Sequence, residues 1–339
     1  VPAGTTAVSG SFIDTTWPLT ADLRNSDTAT FVGDGGSYVE YFFAGPDMRA
    51  LLDRYTALTG RPALPPLWAL GHHLCRWDDF NEGVIRRIAD ACRAHGIPCD
   101  SVWLDIDHMD GFRIFTWDKA KFPDPAGFAA ELQGKGFRLV AILDPGVKMD
   151  PGYHVYDEGA RRRLFCTAPD GSVFAGKVWP GRTVFPDFTR ADVRVWWSSL
   201  VARHVPGVFD GLWIDMNEPA FTGAEDSRML FGSPDAPEPH DAWRNRYAIL
   251  MAEATRSGLL DARPNERPFV LSRAGSPGIQ RFAANWTGDN GSRWDHLAMS
   301  VRMSCGLGMS GQPFVGSDIG GFAKDATAEL LVRWYQYAA

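Results

Sequence analysis

From residue 68 onward the chain alternates short apolar runs with stretches whose apolar residues recur at helical spacing. Apolar runs of this length are typical of buried strands, and the periodic stretches between them are typical of amphipathic helices. The predicted strands cover residues 69–74, 101–106, 139–143, 209–214, 268–272, 283–286 and 313–316. The predicted helices cover residues 84–95, 126–134, 191–203, 242–256 and 293–304. Strands this apolar, alternating with helices, indicate a parallel β/α architecture.

The first 45 residues follow a different pattern. They are rich in Thr, Ser and Gly and end in an alternating run at residues 37–43, which predicts a strand. A helix is predicted at residues 47–59, followed by a proline-rich linker up to residue 66. We therefore expect residues 1–45 to be the tail of an N-terminal β-sandwich domain, and residues 46–66 to be a connection.

Polar residues recur just beyond the C-terminal ends of the predicted strands. They are Arg76, Asp105, Asp107, Asp144, Asp215, Arg273, Asp289 and Asp318. A (β/α)8 TIM barrel collects functional side chains at this rim, whereas a doubly wound open sheet usually carries a glycine-rich phosphate turn, and the sequence contains no such motif. We predict that residues 67–339 form a (β/α)8 barrel. Because seven units are counted where eight are needed, we expect the chain to stop before the eighth.

Composition and charge exclude several classes of protein. The 339 residues are 45% hydrophobic and contain no run of 18 apolar residues, so neither disorder nor a membrane-spanning helix is expected. The net charge is −7 with no block of basic residues, which argues against nucleic acid and anionic membranes as partners. The five cysteines include no CxxC pair, which argues against a disulfide framework or a zinc knuckle.

The residues at the rim predict a site for a neutral, polyhydroxylated ligand. Carboxylates alternate there with tryptophans, and aromatic rings cover the apolar faces of a sugar while carboxylates bind its hydroxyls. Two alternatives remain open at this point. A single aspartate at a strand end is often only a helix cap, and Asp105-Ile106-Asp107 has the DxD spacing that can bind Mg²⁺. On a strand, however, the two aspartates of this triplet share one face, so a pair that binds hydroxyls explains the spacing equally well.

Six motifs along the chain resemble those of glycoside hydrolase family 31. They are Asp105-Ile106-Asp107, Val178-Trp179-Pro180-Gly181, Trp213-Ile214-Asp215-Met216-Asn217-Glu218-Pro219, Leu271-Ser272-Arg273, Trp286-Thr287-Gly288-Asp289-Asn290 and Gly316-Ser317-Asp318-Ile319-Gly320-Gly321-Phe322. The resemblance extends from about residue 60 to the C-terminus, and the third motif resembles the α-glucosidase branch more than the α-xylosidase or sulfoquinovosidase branches.

The resemblance implies a retaining, exo-acting α-glucosidase that needs no cofactor or metal and acts on α-glucoside oligosaccharides. Asp215 matches the catalytic nucleophile and Asp289 the general acid and base, a pair that a retaining enzyme holds about 5–5.5 Å apart. Glu218 competes with Asp215 for the role of nucleophile, and we interpret it instead as a brace of the loop. Oligomeric state is not predicted by the sequence.

The residues that match the sugar pocket of the family are Asp105, Ile106, Trp179, Trp213, Met216, Arg273, Trp286, Asp318, Phe322 and Trp77. Trp77 stands where many relatives carry tyrosine. Three alternative functions remain: an α-transglucosidase, an α-xylosidase, and a noncatalytic protein that only binds sugar.

Overall fold

The computed structural model describes residues 7–233 and 235–338. The first described elements are two antiparallel strand pairs followed by one helix. The strands are β1 (Val8–Ile13), β2 (Leu19–Asp22), β3 (Thr30–Gly33) and β4 (Glu40–Gly45), and the helix is α1 (Met48–Thr59). Strand β1 pairs with β4 and β2 pairs with β3. The alternating run predicts β4, which begins three residues later than expected. The assignment of these strands to a β-sandwich stays a prediction.

The main sheet and its helices follow in alternation. The elements up to the third strand of this sheet are β5 (His73–Leu74), α2 (Glu82–Ala94), β6 (Ser101–Leu104), α3 (Pro125–Gly134) and β7 (Arg138–Ile142). The next elements are β8 (Val147–Lys148), α4 (His154–Arg162), β9 (Ala175–Val178), β10 (Gly181–Val184), α5 (Ala191–His204) and β11 (Gly211–Ile214). The remaining elements are β12 (Leu230–Ser233), β13 (Ala236–Pro239), α6 (His240–Ala262), β14 (Val270–Ser272), β15 (Ala284–Trp286), α7 (Trp294–Met309), β16 (Val315–Gly316) and α8 (Ala328–Ala338).

Seven strands form one parallel sheet in the order β16-β15-β14-β11-β7-β6-β5. Each predicted strand from residue 69 onward contributes to it, so the parallel β/α architecture is confirmed. Because the strands are parallel, all of their C-terminal ends lie at the same edge, where the polar residues follow them. The hydrophobic core packs around this sheet and includes Leu139, Leu212 and Trp197, whose side chains are fully buried.

Two predicted elements differ from the structure. The first strand was expected over residues 69–74 but covers only His73–Leu74, because the chain leaves Pro66 as a short 3-10 helix at Leu67–Leu70. No strand or helix is predicted in the segment 146–188, but the structure forms helix α4 and an antiparallel sheet in the order β8-β10-β9 there. The hairpin of β9 and β10 turns at Trp179 and Pro180, so regular structure determines where Trp179 projects.

No helix within residues 7–233 and 235–338 is long and apolar enough to span a bilayer.

Candidate active site

Strand register brings Asp215 and Arg273 side by side at the edge of the sheet. The last pair between β11 and β14 is Ile214 with Ser272, and the next residue of each strand is Asp215 and Arg273. Nη1 of Arg273 lies 3.0 Å from Oδ1 of Asp215. This contact is an ion pair without hydrogen-bond geometry, and Oδ1 of Asp215 accepts no hydrogen bond from the described residues. Asp215 is therefore a buried carboxylate with its compensating charge in place.

The same guanidinium holds the loop that follows Asp215. Nε and Nη2 of Arg273 donate to the two carboxylate oxygens of Glu218 at 2.9 and 2.8 Å. Nη2 also lies 3.2 Å from the sulfur of Met216, a residue with a positive φ of 54°. The turn after β11 is thus fixed by a bidentate pair, a geometry that arginine provides and lysine does not. Glu218 has the contacts expected of a brace.

Four carboxylates near the centre of this edge influence one another electrostatically. Burial raises the pKa of Asp105 to about 6 and that of Asp215 to about 6, the latter against the opposing effect of Arg273. Burial, with the charges of Asp289, Asp215 and Asp105, raises the pKa of Asp318 to about 7. Clusters of carboxylates with raised pKa values are common in catalytic sites. The structure therefore gathers the predicted aspartates into one electrostatic unit.

Asp289 lies in a more open part of the site than Asp215. Its side chain is exposed, whereas that of Asp215 is only 13% exposed. The loop that carries Asp289 is held from behind by Asn290, which is buried and whose Nδ2 donates to Oγ1 of Thr287 at 3.1 Å. The carbonyl oxygen of Asn290 accepts from the backbone N–H of Phe322 at 2.7 Å. One carboxylate is thus largely buried and the other is exposed to solvent.

The aromatic side chains predicted for the site form two contacting groups that differ in exposure. Trp213 and Trp286 are half-buried, and their rings meet edge to face with centroids 5.7 Å apart. Trp77 is stacked on Phe322 at 6.1 Å with 9° between the ring planes, and it lies 5.6 Å from Trp179. The rings of this second group are each 43–49% exposed. We call Trp77, Trp179 and Phe322 the aromatic rim.

Two residues are placed differently from the sequence interpretation. Ile106 is 3% exposed and belongs to the hydrophobic core, so a contact of this residue with sugar stays a prediction. Asp105 and Asp107 do not share the face of a strand, because β6 ends at Leu104 and a 3-10 helix begins at Ile106. Oδ1 of Asp105 accepts from the N–H of Ile106 at 2.7 Å, and Asp107 lies near Lys121. The prediction that Asp105 and Asp107 share one face of a strand is therefore wrong.

Within the described parts of the chain, no group of three or more histidine, cysteine, aspartate or glutamate side chains is arranged to hold a metal ion.

Asn217 is a structural contributor that the sequence interpretation missed. It is completely buried, its Nδ2 donates to Oγ of Ser272 at 2.9 Å, and its Oδ1 accepts from the N–H of Ala274 at 3.0 Å. These bonds tie the turn after β11 to the turn after β14, on both sides of the pair formed by Asp215 and Arg273. The signal available in the sequence was a polar amide residue between Asp215 and Glu218. Its hydrogen-bond partners could not be predicted, because they depend on which strands are neighbours in the sheet.

The site combines a buried, paired carboxylate, an exposed carboxylate and walls of aromatic rings. Such a set can bind hydroxyl groups, attack an electrophilic carbon and transfer a proton. The structure brings Asp105, Asp215, Asp289 and Asp318 into electrostatic contact beside Arg273, and it groups the predicted aromatic residues into the pair of Trp213 and Trp286 and the aromatic rim. Their individual roles stay predictions.

Comparison with known proteins identifies the family. The sequence profile of the glycosyl hydrolases family 31 TIM-barrel domain matches residues 62–339. The chain is 44% identical over 334 residues to alpha-glucosidase 2 of Bacillus thermoamyloliquefaciens, covering 97% of this chain and 42% of that protein.

Two solved structures extend this similarity to the fold. A family 31 alpha-glucosidase from Bacteroides thetaiotaomicron has a TM-score of 0.86 and 40% identity, over 97% of this chain and 54% of that one. The dextranase of Flavobacterium johnsoniae complexed with glucose has a TM-score of 0.90 and 30% identity, over 97% of this chain and 42% of that one. The chain thus spans about half or less of the length of these relatives. The profile confirms the TIM barrel, and the chain belongs to glycoside hydrolase family 31.

Proposed function

We propose that this chain carries the catalytic site of a retaining α-glucosidase that removes glucose from the nonreducing ends of α-glucosides. The observation that carries the proposal is the contrast between two aspartates of one site. The side chain of Asp215 is largely buried, with Nη1 of Arg273 3.0 Å from its Oδ1, whereas the side chain of Asp289 is exposed. A nucleophile must stay ionised and fixed, and an acid that later activates water must reach the leaving group and solvent. The two positions suit these two roles.

In the first step of the proposed mechanism, a carboxylate oxygen of Asp215 attacks the anomeric carbon. The glycosidic bond breaks, and Asp289 gives its proton to the departing oxygen. The product of this step is a covalent glucosyl ester of Asp215, with the configuration inverted. The ion pair with Arg273 favours the ionised form of Asp215 before the attack. The two contacts of Arg273 with Glu218 hold the guanidinium in place during the step.

In the second step, Asp289, now ionised, takes a proton from a water molecule. The resulting hydroxide character of the water allows it to attack the anomeric carbon, the ester bond to Asp215 breaks, and the second inversion restores the original configuration. The exposure of Asp289 gives this water a route to the site. Asp105 and Asp318 are proposed to bind sugar hydroxyls, and Trp213 and Trp286 to cover the apolar faces of the ring.

The experiment is active-site labelling with a fluorinated α-glucosyl fluoride whose glycosyl-enzyme intermediate is hydrolysed slowly. Intact-mass spectrometry of the complete gene product that contains this chain should show one fluoroglucosyl adduct. Tandem fragmentation should then map it to Asp215 and not to Glu218. The matched control is Glu218→Gln, which keeps the nucleophile and should still be labelled. An adduct on Glu218, or labelling that survives in Asp215→Asn, would refute the assignment.

The linkage and the mode of attack form a second question, because one structural relative is a dextranase. We infer exo attack, because Asp105 is proposed to bind the far hydroxyls of the nonreducing sugar. Product analysis distinguishes the possibilities: glucose alone supports exo hydrolysis, and short oligosaccharides released from dextran support attack within the chain.

Three alternative functions have their own tests. Longer products at high maltose concentration indicate an α-transglucosidase. A preference for aryl α-xyloside over aryl α-glucoside indicates an α-xylosidase. Tight binding of an iminosugar without turnover indicates a noncatalytic sugar-binding protein.

A further inference from the structure

Asp144 is a buried carboxylate that the proposed mechanism does not use. It is the second residue after β7, and it is only 5% exposed. The last pair between β7 and β11 is Ile142 with Trp213, so continuing the register places Asp144 beside Asp215. The backbone bond from the N–H of Leu143 to the carbonyl oxygen of Trp213, at 2.6 Å, shows that the pairing persists beyond the last pair. Asp144 is therefore the strand neighbour of Asp215 on the side opposite Arg273.

Asp144 has no positive partner of its own. Within residues 7–233 and 235–338, no lysine, arginine or histidine nitrogen forms an ion pair with it, and its Oδ1 is buried without a hydrogen-bond partner. The charged groups that influence it are Asp215 and Glu218 after β11, Asp105 after β6 and Arg273 after β14. The single cation among them is already paired with Asp215 at 3.0 Å and with Glu218 at 2.8 Å.

This arrangement leaves too little positive charge for every carboxylate to be ionised. When buried carboxylates share a site, one of them keeps its proton, because like charges in a medium of low dielectric repel strongly. The proton stays on Asp144, because its residue is only 5% exposed, its Oδ1 accepts no hydrogen bond from the described residues, and Arg273 is paired with its neighbours. Burial, followed by the charge of Asp215, raises the pKa of Asp144 well above its usual range. None of the described residues donates a hydrogen bond to Oδ1 of Asp215, so this oxygen is an available acceptor beside the proton.

We propose that Asp144 is a positioning residue that carries a proton in the working site and donates it in a hydrogen bond to the carboxylate of Asp215. The negative charge of the pair then resides on Asp215, and the nucleophile is held between Asp144 and Arg273. This inference rests on the proposed role of Asp215 as nucleophile. It adds a neutral acid whose only function is to orient and restrain that carboxylate.

The direct test is infrared spectroscopy of the complete gene product at pH 8. The pKa values of Asp105, Asp215 and Asp318 are about 6, about 6 and about 7, so these groups are largely ionised at that pH. A band of a protonated carboxylic acid should be present in the unmodified protein and lost in Asp144→Asn. The matched control is Asp210→Asn, which removes a buried aspartate that pairs with Arg138 and Arg263 and should leave the band unchanged. Retention of the band in Asp144→Asn would overturn the proposal.

Kinetics provide the second arm. Asp144→Asn keeps a neutral donor of the same shape, so it should retain kcat within about 10-fold and leave the acidic limb of the pH profile in place. Asp144→Leu keeps the volume but removes the donor, and kcat should fall about 100-fold, the usual effect of losing a preorganised donor. Equal activities in the two variants, or an acidic limb shifted to lower pH in Asp144→Asn, would contradict a protonated Asp144. If Asp144→Leu does not fold, the infrared band and the pH profile of Asp144→Asn still decide.

Failure of this inference can be separated from failure of the proposed function. The infrared result depends only on the ionisation of Asp144 and is independent of turnover. Unchanged activity in Asp215→Asn would refute the nucleophile, whatever the infrared spectrum shows. Loss of labelling in Asp215→Asn together with an unaltered band in Asp144→Asn would refute the role of Asp144 alone.

Discussion

Arg273 connects Asp215 to Glu218 by serving two carboxylates with one guanidinium. Nη1 lies 3.0 Å from Oδ1 of Asp215, while Nε and Nη2 hold both oxygens of Glu218 at 2.9 and 2.8 Å. The charge of the arginine thus acts on Asp215, and its fork fixes the turn that carries Asp215. Charge and geometry can be tested separately, because lysine preserves the first and not the second.

Replacing Arg273 by methionine should shift the pH range of activity upward. Without the nearby cation the pKa of Asp215 rises, so the ionised nucleophile forms only at higher pH. The acidic limb of kcat/KM should move up by about one unit or more, and kcat/KM at pH 7 should fall about 100-fold. Arg273→Lys is the control and should keep the limb close to its original position with reduced kcat. An unmoved limb in the methionine variant would show that the ion pair does not tune Asp215.

The unmodified protein should lose activity as the pH falls through about 6. Burial raises the pKa of Asp215 from 3.8 to about 6, and the charged form of Asp215 is the one that attacks. Protonation below that pH therefore removes the nucleophile. The measurement is kcat/KM for an aryl α-glucoside between pH 4 and 8. Full activity down to pH 4.5 would contradict a raised pKa at Asp215.

Asp318→Asn should stabilise the fold at high pH while reducing activity. The pKa of Asp318 is about 7 in the folded protein and 3.8 in the reference state, so the folded protein binds the proton more tightly. Stability from this group is therefore complete below about pH 4 and is lost as the pH rises through about 7. At pH 8 the amide should raise the free energy of unfolding by about 1–2 kcal/mol.

The pH dependence of that stabilisation is its control. The difference between Asp318→Asn and the unmodified protein should narrow steadily when thermal unfolding is repeated from pH 8 to pH 5. A substitution that improved packing alone would give the same difference at every pH. A lower unfolding temperature at pH 8 would show that Asp318 is stabilised as a carboxylate.

The strands that position the site could be predicted from the sequence alone. Apolar runs of strand length are local signals, and they located every strand of the main sheet to within a few residues. Parallel strand direction alone predicts that Asp105, Asp215 and Arg273 lie at the same edge of the sheet, beyond the C-terminal ends of the strands. The rest depended on contacts between distant segments. Asn217 bonds to Ser272 across 55 residues, and no local pattern specifies that pairing.

The errors have the same physical origin. The apolar run at residues 101–106 predicts a strand through Ile106, and therefore predicts that Asp107 shares a strand face with Asp105. In the structure Oδ1 of Asp105 accepts a hydrogen bond from the N–H of Ile106 at 2.7 Å, and a 3-10 turn begins there. This local hydrogen bond competes with extension of the strand. The segment after β7 has no predicted strand, because its strands β8, β9 and β10 are only two to four residues long. Strands this short are stable only when they pair with each other.

Asp289→Asn should slow hydrolysis most for substrates whose leaving group must be protonated as it departs. Maltose requires protonation of its departing oxygen, so kcat/KM for maltose should fall about 1,000-fold. α-Glucosyl fluoride departs without that proton, and its first step should be affected far less. Azide, which attacks without a general base, should restore turnover of the fluoride in the variant. Equal losses for the two substrates would exclude Asp289 as the acid.

The aromatic rim should contribute to binding on the leaving-group side. Trp77 is stacked on Phe322, and Phe322 is joined through its backbone to Asn290, the residue after Asp289. A sugar that leaves past Asp289 would therefore pass the face of Trp77. Trp77→Ala should lower kcat/KM for maltose about 10-fold, the effect of losing one aromatic contact, and leave that for α-glucosyl fluoride nearly unchanged. Trp77→Tyr keeps a ring at the rim and should retain most of the activity on maltose. A similar loss on both substrates would mean that Trp77 supports the pocket around the first sugar instead of binding the second.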